Sequence, residues 1–189
     1  MTGIIILAAG PSSRLGLPKQ NLIYKGETLL QRAINVASAS SCDIVIVVLG
    51  ANDDVVAPTA ENKKTTIVKN LEWQEGMASS IRAGVDTIQH LAPEITSAIL
   101  MLCDQPFANT ALLDQLIQKK QAKGIVACAY NDAIGPPVLF DKKYFDELLL
   151  LKGQEGAKKL LLKHPDDVET IPFPLGSVDI DTMEDYEKL

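Results

Sequence analysis

Short apolar runs alternate with segments of helical periodicity along almost the whole chain, and no other feature of the sequence confines the fold so tightly. The runs at 4–7, 44–49, 65–68, 98–103 and 125–130 are mostly aliphatic and lead into Gly, Asn or Asp. Such runs read as buried strands. Between them, 28–39, 77–91 and 109–120 carry apolar residues at helical spacing. The inward sets are Leu29, Leu30, Ala33, Ile34 and Ala37, then Met77, Ile81, Val85 and Ile88, then Leu112, Leu113, Leu116 and Ile117. Strands separated by helices pair in parallel through crossovers. The expected class is therefore α/β: three layers, with helices on both faces of a mostly parallel mixed sheet of about seven strands.

Beyond residue 130 the pattern loosens. A stiff loop is expected over 131–137, then a short strand over 138–140 and helices over 142–149 and 155–163. Short strands are expected over 168–172 and 177–180, and a terminal helix capped by Thr182 or Asp181. The polar stretch 52–64 is expected to hold a short surface helix. The 189 residues show no internal repeat, low-complexity tract or Pro/Gly/Ser linker, so one domain over 1–189 is expected. A net charge of -6 argues against general nucleic-acid binding, which needs a basic face. No apolar run reaches membrane-spanning length and the N-terminus lacks a signal-peptide pattern, so cytoplasmic residence away from membranes is expected. Cys42, Cys103 and Cys128 are too far apart for a metal-ligand spacing and read as packed thiols. His90 and His164 fall at predicted helix ends, where capping or solvation explains them.

The first strand empties into Ala8-Ala9-Gly10-Pro11-Ser12-Ser13-Arg14-Leu15-Gly16-Leu17-Pro18-Lys19. Ala8 and Ala9 let another group approach the backbone. Gly10 and Gly16 permit conformations that other residues resist. The first acidic residue is Glu27, so the opening segment of an acidic chain carries only positive charge. Unpaired backbone N–H groups beside two fixed cations, Arg14 and Lys19, suit a polyphosphate. Five residues separate Gly10 from Gly16 and Leu17-Pro18 precede Lys19, which excludes the P-loop. The Gly-x-Gly-x-x-Gly dinucleotide fingerprint is absent. These residues alone also fit a plain strand-to-helix connection.

Further along, Gly76, Ser80 and Gly84 stand four apart and make a stripe of very small residues on the 77–91 helix. Close packing against the sheet explains such a stripe, and so does a flat ligand with Ser80 as a hydrogen-bonding group. Asp104-Gln105-Pro106 follows directly on a strand, where parallel sheets place ligands and metals. Asp179 and Asp181 occupy alternate positions and so share a face. With Asp104 brought near, these hard oxygen ligands suit Mg2+.

In their joint order these stretches resemble a known family. Leu7-Ala8-Ala9-Gly10-x-Ser12-x-Arg14-x-Gly16-x-Pro18-Lys19 resembles the signature of sugar-nucleotide-type nucleotidyltransferases with a Rossmann-like fold. Asn70, Gly76-Met77, Ser80-Ile81, Gly84, Asp104-Gln105-Pro106, Gly135-x-Pro137 and Asp179-Ile180-Asp181-Thr182 narrow the resemblance. They resemble the branch holding molybdenum cofactor cytidylyltransferases and their guanylyl relatives. The resemblance implies transfer of a nucleoside monophosphate to the terminal phosphate of molybdopterin, with release of pyrophosphate. It implies that Leu7, Ala8, Ala9, Gly10, Gly76 and Met77 contact the nucleotide and that Ser80, with Gly76, reads its base. Arg14, Lys19 and Asp104 would be the catalytic residues, the first two neutralising phosphates. Asp104 would hold Mg2+ with Asp181 or Asp179. Gly135, Pro136, Pro137 and Gly156 would shape the acceptor pocket, and a molybdoenzyme would receive the product. Ala8-Ala9 resembles the cytidylyl branch, which favours CTP over GTP.

Two departures fall in the acceptor half: Gly135-Pro136-Pro137 replaces the usual Gly-His-Pro, and Gln154 replaces an Asp in a Gly-Asp-x-Gly-Ala pattern. Leu15 replaces a common Met. A sugar phosphate or another small phosphate as acceptor, and a non-catalytic cofactor-binding role, are the competing expectations.

Overall fold

The fold is described from a computed structural model covering residues 1–56, 64–120, 123–131 and 133–189. Its centre is β1 (Thr2–Ala8), which pairs in parallel with β4 (Ile44–Leu49) on one side and β6 (Ser97–Leu102) on the other. A strand covered on both edges and both faces must be apolar throughout, and Ile4, Ile5 and Ile6 are completely buried. Beyond β4 lies β5 (Thr65–Lys69), parallel to it. On the other side come β8 (Ala133–Asp141), antiparallel to both neighbours, then β7 (Ile125–Tyr130) and β9 (Val168–Pro172). The order β5-β4-β1-β6-β8-β7-β9 makes a seven-stranded mixed sheet in which only β8 is reversed.

Alternation along the strands sends side chains to two cores. Ile4, Ile6, Val45 and Val47 pack with helices α1 (Leu29–Ala39) and α3 (Thr110–Lys119). Ile5, Ile46 and Val48 face α2 (Met77–Leu91), and that layer continues through α4 (Phe145–Leu149) and α5 (Lys158–Lys163). The three-layer α/β/α expectation is therefore met. Gly84 explains how α2 sits so close to the sheet: a Cβ there would lie 2.4 Å from Ile5 Cγ2. Thr28 and Asn109 cap α1 and α3 by accepting from Gln31 N and Leu112 N. Thr182, not Asp181, caps the terminal helix α6 (Met183–Glu187), in a reciprocal pair with Asp185.

Several local expectations are corrected. The segment before α1, for which the sequence pattern shows no strand, forms a hairpin, β2 (Ile23–Tyr24) against β3 (Glu27–Thr28), closed by Lys25 and Gly26 at positive φ. The expected loop over 131–137 belongs largely to β8, in which the Pro136–Pro137 peptide is cis. Residues 177–180 are not a strand: a 3-10 turn over Pro174–Ser177 leads into an extended passage. The second late helix starts at Lys158, leaving 152–156 as a loop. Met77 is 41% exposed and leaves the core stripe, because it heads α2 beside a cavity. Most of the expected 52–64 helix lies outside the described residues. Among the described residues no helix is long and apolar enough to cross a membrane.

Candidate active site

After β1 the chain goes first to β4 on one side, then returns to β6 on the other. The crevice at the carboxyl ends of β1 and β6 is thus the switch point where open α/β sheets hold ligands. Leu7 pairs with Leu102, so the 9–19 loop and Asp104 emerge side by side.

Gln20 builds the loop. Its side chain is 0% exposed, and Nε2 donates to Ala8 O at 2.7 Å and Gly10 O at 3.1 Å. Ala51 N donates to Ala9 O at 3.0 Å. Ser12 Oγ accepts from Lys19 N at 3.0 Å. The carbonyls are thereby tied inward, while the N–H groups of Ser13 and Arg14 find no partner among the described residues.

Lys19 reaches across to two later segments. Its Nζ donates to Asp104 Oδ2 and, at 3.1 Å, to Asp181 Oδ1. Arg14 donates to Asp181 Oδ2 at 2.9 Å. Asp181 is delivered by Ile180, which is fully buried under the hairpin and donates its backbone N–H to Asp104 O at 3.3 Å. Burial alone would lower the Lys19 pKa; the Asp104 carboxylate outweighs it and, with Asp181, holds the ammonium above the usual lysine range. Partial burial, then the like charges of Asp104 and Asp181, push the Asp179 carboxyl up to about 6. Asp104 is 7% exposed, and its Oδ1 is buried with no hydrogen-bond partner among the described residues.

Two cavities flank the loop. One, of about 280 Å³, is lined by Leu7, Ala8, Ala9 and Gly10 from the loop and by Trp73, Gly76, Met77 and Gln154, with Cys103 and Asp104 also lining it. The second, of about 180 Å³, is lined by Gly10 to Leu15, Lys19 and Asp181. Both include Lys19, so a ligand spanning them would pass over its ammonium. Burial pushes the Cys103 thiol up to about 12, which leaves it a protonated, apolar part of the wall.

The remaining expected site residues divide. Ser80 lines neither cavity; it is buried one turn below Gly76, and its Oγ accepts from Asn70 Nδ2 at 3.0 Å. Asn70 also donates to Ser79 Oγ at 2.8 Å and accepts from Glu72 N at 2.9 Å, tying the end of β5 to the start of α2. Because β8 runs antiparallel, Gly135, Pro136 and Pro137 come to the active end of the sheet. There Gln105 Nε2 donates to Pro136 O at 3.2 Å. Gly156 lies instead against Met77, on the side of the larger cavity.

Residues 4–168 match the family described as "MobA-like NTP transferase domain". The chain belongs to this family. It is similar, at 32% identity over all of this chain and 96% of the relative, to nicotine blue oxidoreductase of Paenarthrobacter nicotinovorans. Purine catabolism protein PucB of Bacillus subtilis is 28% identical, with 97% and 93% covered. Molybdenum cofactor cytidylyltransferase of Escherichia coli is 24% identical, with 96% and 92% covered. Among solved structures, Rv0371C of Mycobacterium tuberculosis H37Rv in complex with manganese is 30% identical. It superposes with a TM-score of 0.80, covering 100% of this chain and 96% of that one.

Family membership makes this a nucleotidyltransferase-type site, and its donor set fits a divalent ion. Asp104 and Asp181 meet at one point, now bridged by Lys19, and Asp104 Oδ1 lacks a partner among the described residues. Among the described residues no group of three or more His, Cys, Asp or Glu could hold a metal. One or two carboxylates completed by water and substrate phosphate are the usual holding of Mg2+. Gln20 and Trp73 went unnoticed in the sequence. Trp73, the chain's single Trp, stands three residues before Gly76 and carried a usable signal; nothing local to Gln20 announces a fully buried amide.

Proposed function

We propose that the chain transfers CMP from CTP to the terminal phosphate of a molybdopterin-type acceptor, releasing pyrophosphate, with Mg2+ as the divalent ion. The observation that carries this reading is Lys19 seated between Asp104 and Asp181, where the loop cavities meet. An acceptor phosphate oxygen attacks the α-phosphorus, and the bond to the bridging oxygen of the pyrophosphate breaks. The attacking group is already an anion, so no general base is needed. Arg14 and Lys19 offset charge on the phosphates, which is most effective when the groups are preorganised. A divalent ion between Asp104 and Asp181, or Asp179, would neutralise phosphate charge. Leu7, Ala8, Ala9, Gly10, Gly76 and Met77 surround the nucleoside, and Ser80 supports the start of α2 from beneath. Gly135, Pro136 and Pro137 face the acceptor; Gly156 serves the cavity wall.

The molybdopterin acceptor is favoured by the motif order and by the similarity to the Escherichia coli cytidylyltransferase along nearly both chains. CTP is favoured by Ala8-Ala9. We place the protein in the cytoplasm, handing its product to a molybdoenzyme. The similarity to a relative named an oxidoreductase supports a second reading, redox chemistry at this site.

A thermal-shift screen of CTP, GTP, ATP, UTP and NADH, with and without Mg2+, separates the two. At a hundredfold excess over Kd, binding adds about 2.7 kcal/mol. For a chain of this size that raises Tm by about 5–11 °C. The proposal expects such a shift with CTP only when Mg2+ is present. A shift with NADH alone would move the assignment to the redox reading.

A further inference from the structure

We propose that Gln154 is a base-reading residue of the larger cavity, its side-chain amide bonding the polar edge of the nucleotide base. The inference rests on the nucleotidyl-transfer reading and moves to the nucleoside a segment that the sequence pattern attached to the acceptor.

The loop over 152–156 is strapped onto the start of α2. Ala78 N donates to Gly153 O at 3.0 Å, and Gly153 N donates to Glu75 Oε1 at 3.3 Å. Arg82 Nη1 donates to Leu151 O at 2.8 Å and to Glu75 Oε1 at 2.9 Å, closing the strap from below. Gly76, at φ 122°, has no room for a side chain: a Cβ there would lie 2.5 Å from Gly153 O and 2.8 Å from Gln154 Nε2. A Cβ on Gly156 would lie 2.8 Å from Met77 Sδ. Two glycines, one on each partner, thus set the contact.

This contact puts Gln154 in the lining of the cavity that Ala8 and Ala9 also line and that is largely apolar. Its amide has no hydrogen-bond partner among the described residues, whereas the Gln20 amide is spent on the loop carbonyls. A few polar groups on an apolar wall are what orient a bound ligand. An amide both donates and accepts, so it matches the paired ring nitrogen and amino group of cytosine. A carboxylate at the same place only accepts, and so matches the two adjacent donors of guanine. Gln154→Glu would keep the length of the side chain, remove its donor and so favour the adjacent N1–H and amino donors of guanine.

The test is calorimetric titration of wild type, Gln154→Leu and Gln154→Glu with CTP, GTP and inorganic tripolyphosphate, each with Mg2+. Gln154 is exposed, so both variants fold, and thermal melting checks this. Gln154→Leu is expected to weaken CTP about tenfold, the fold-change of one neutral hydrogen bond, and to leave tripolyphosphate unchanged. Gln154→Glu is expected to move the CTP-to-GTP affinity ratio about tenfold toward GTP. Unchanged CTP affinity in Gln154→Leu overturns the assignment. So does an equal loss for CTP and tripolyphosphate, which would mark a disturbed loop, not a lost base contact. Failure of the wild type to bind either CTP or GTP overturns the cytidylyl-transfer reading as well, so the wild-type titration tells the two failures apart.

Discussion

Replacing Lys19 with Met removes a cation bonded to both Asp104 and Asp181 while keeping most of the side-chain volume. The Asp104 side chain is only 10% exposed, so it is left as a buried charge without its partner. Breaking a buried pair in this way costs about 3–5 kcal/mol. Asp181 is 39% exposed and adds about 0–1 kcal/mol, since water already screens it. Water reaches the pair from the Lys19 side, which is 17% exposed, so the low end, about 3 kcal/mol, applies. For a chain of this size that lowers Tm by about 6–12 °C at neutral pH. Scanning calorimetry of wild type and variant, with and without Mn2+, reads this directly. The variant should regain more Tm from Mn2+ than the wild type, because no ammonium competes for the carboxylates. An unchanged Tm together with an unchanged response to Mn2+ refutes the view that Lys19 holds the place of a divalent ion.

Two further changes probe the scaffold. Gln20→Leu strips donors from Ala8 O and Gly10 O and should cost about 2–3 kcal/mol by denaturant unfolding, with weaker triphosphate binding by titration. Full binding in a destabilised variant would show that Gln20 braces the fold and not the loop. Far from the site, Asp167 is held well below the usual carboxylate range by Lys143, by the Tyr144 hydroxyl and by Gly124 N. A depressed carboxyl stabilises above its unfolded pKa, about 3.9, and loses that contribution as pH falls toward its folded value. Asp167→Asn should therefore cost about 1–2 kcal/mol at pH 7, allowing for its partial exposure, and progressively less below about pH 4. A loss independent of pH would contradict the charge argument.

The parallel half of the sheet was legible because β1, β4 and β6 are continuous apolar runs, each ending at a breaker or a polar residue. The β2–β3 hairpin was not, since two-residue strands are too short to show a period. The two prolines hid the first half of β8. In the structure Gly135 pairs with Cys128 and Val138 with Ala127, so Pro136 and Pro137 sit in the bulge between. There no ladder donor is required of them. The two aspartates still share a side although 177–180 is not a strand, because an extended backbone alternates its side chains whether or not it is paired. Lys19 and Asp104 are 85 residues apart, and Lys19 and Asp181 162 apart. No local signal spans such distances; the order of motifs supplied it. The placement of Gln154 was illegible for a different reason: the strap depends on Gly76 lacking a side chain toward a segment that follows 77 residues later.

Pyrophosphate release by wild type and by Asp104→Ala, in the presence of CTP, Mg2+ and molybdopterin, tests the central claim most directly. The account predicts stoichiometric pyrophosphate from the wild type and near-complete loss of turnover in the variant, with CTP binding weakened but measurable. Equal turnover in the two proteins would contradict the assignment of Asp104. Absence of pyrophosphate from the wild type with any of the four common nucleoside triphosphates would contradict nucleotidyl transfer itself.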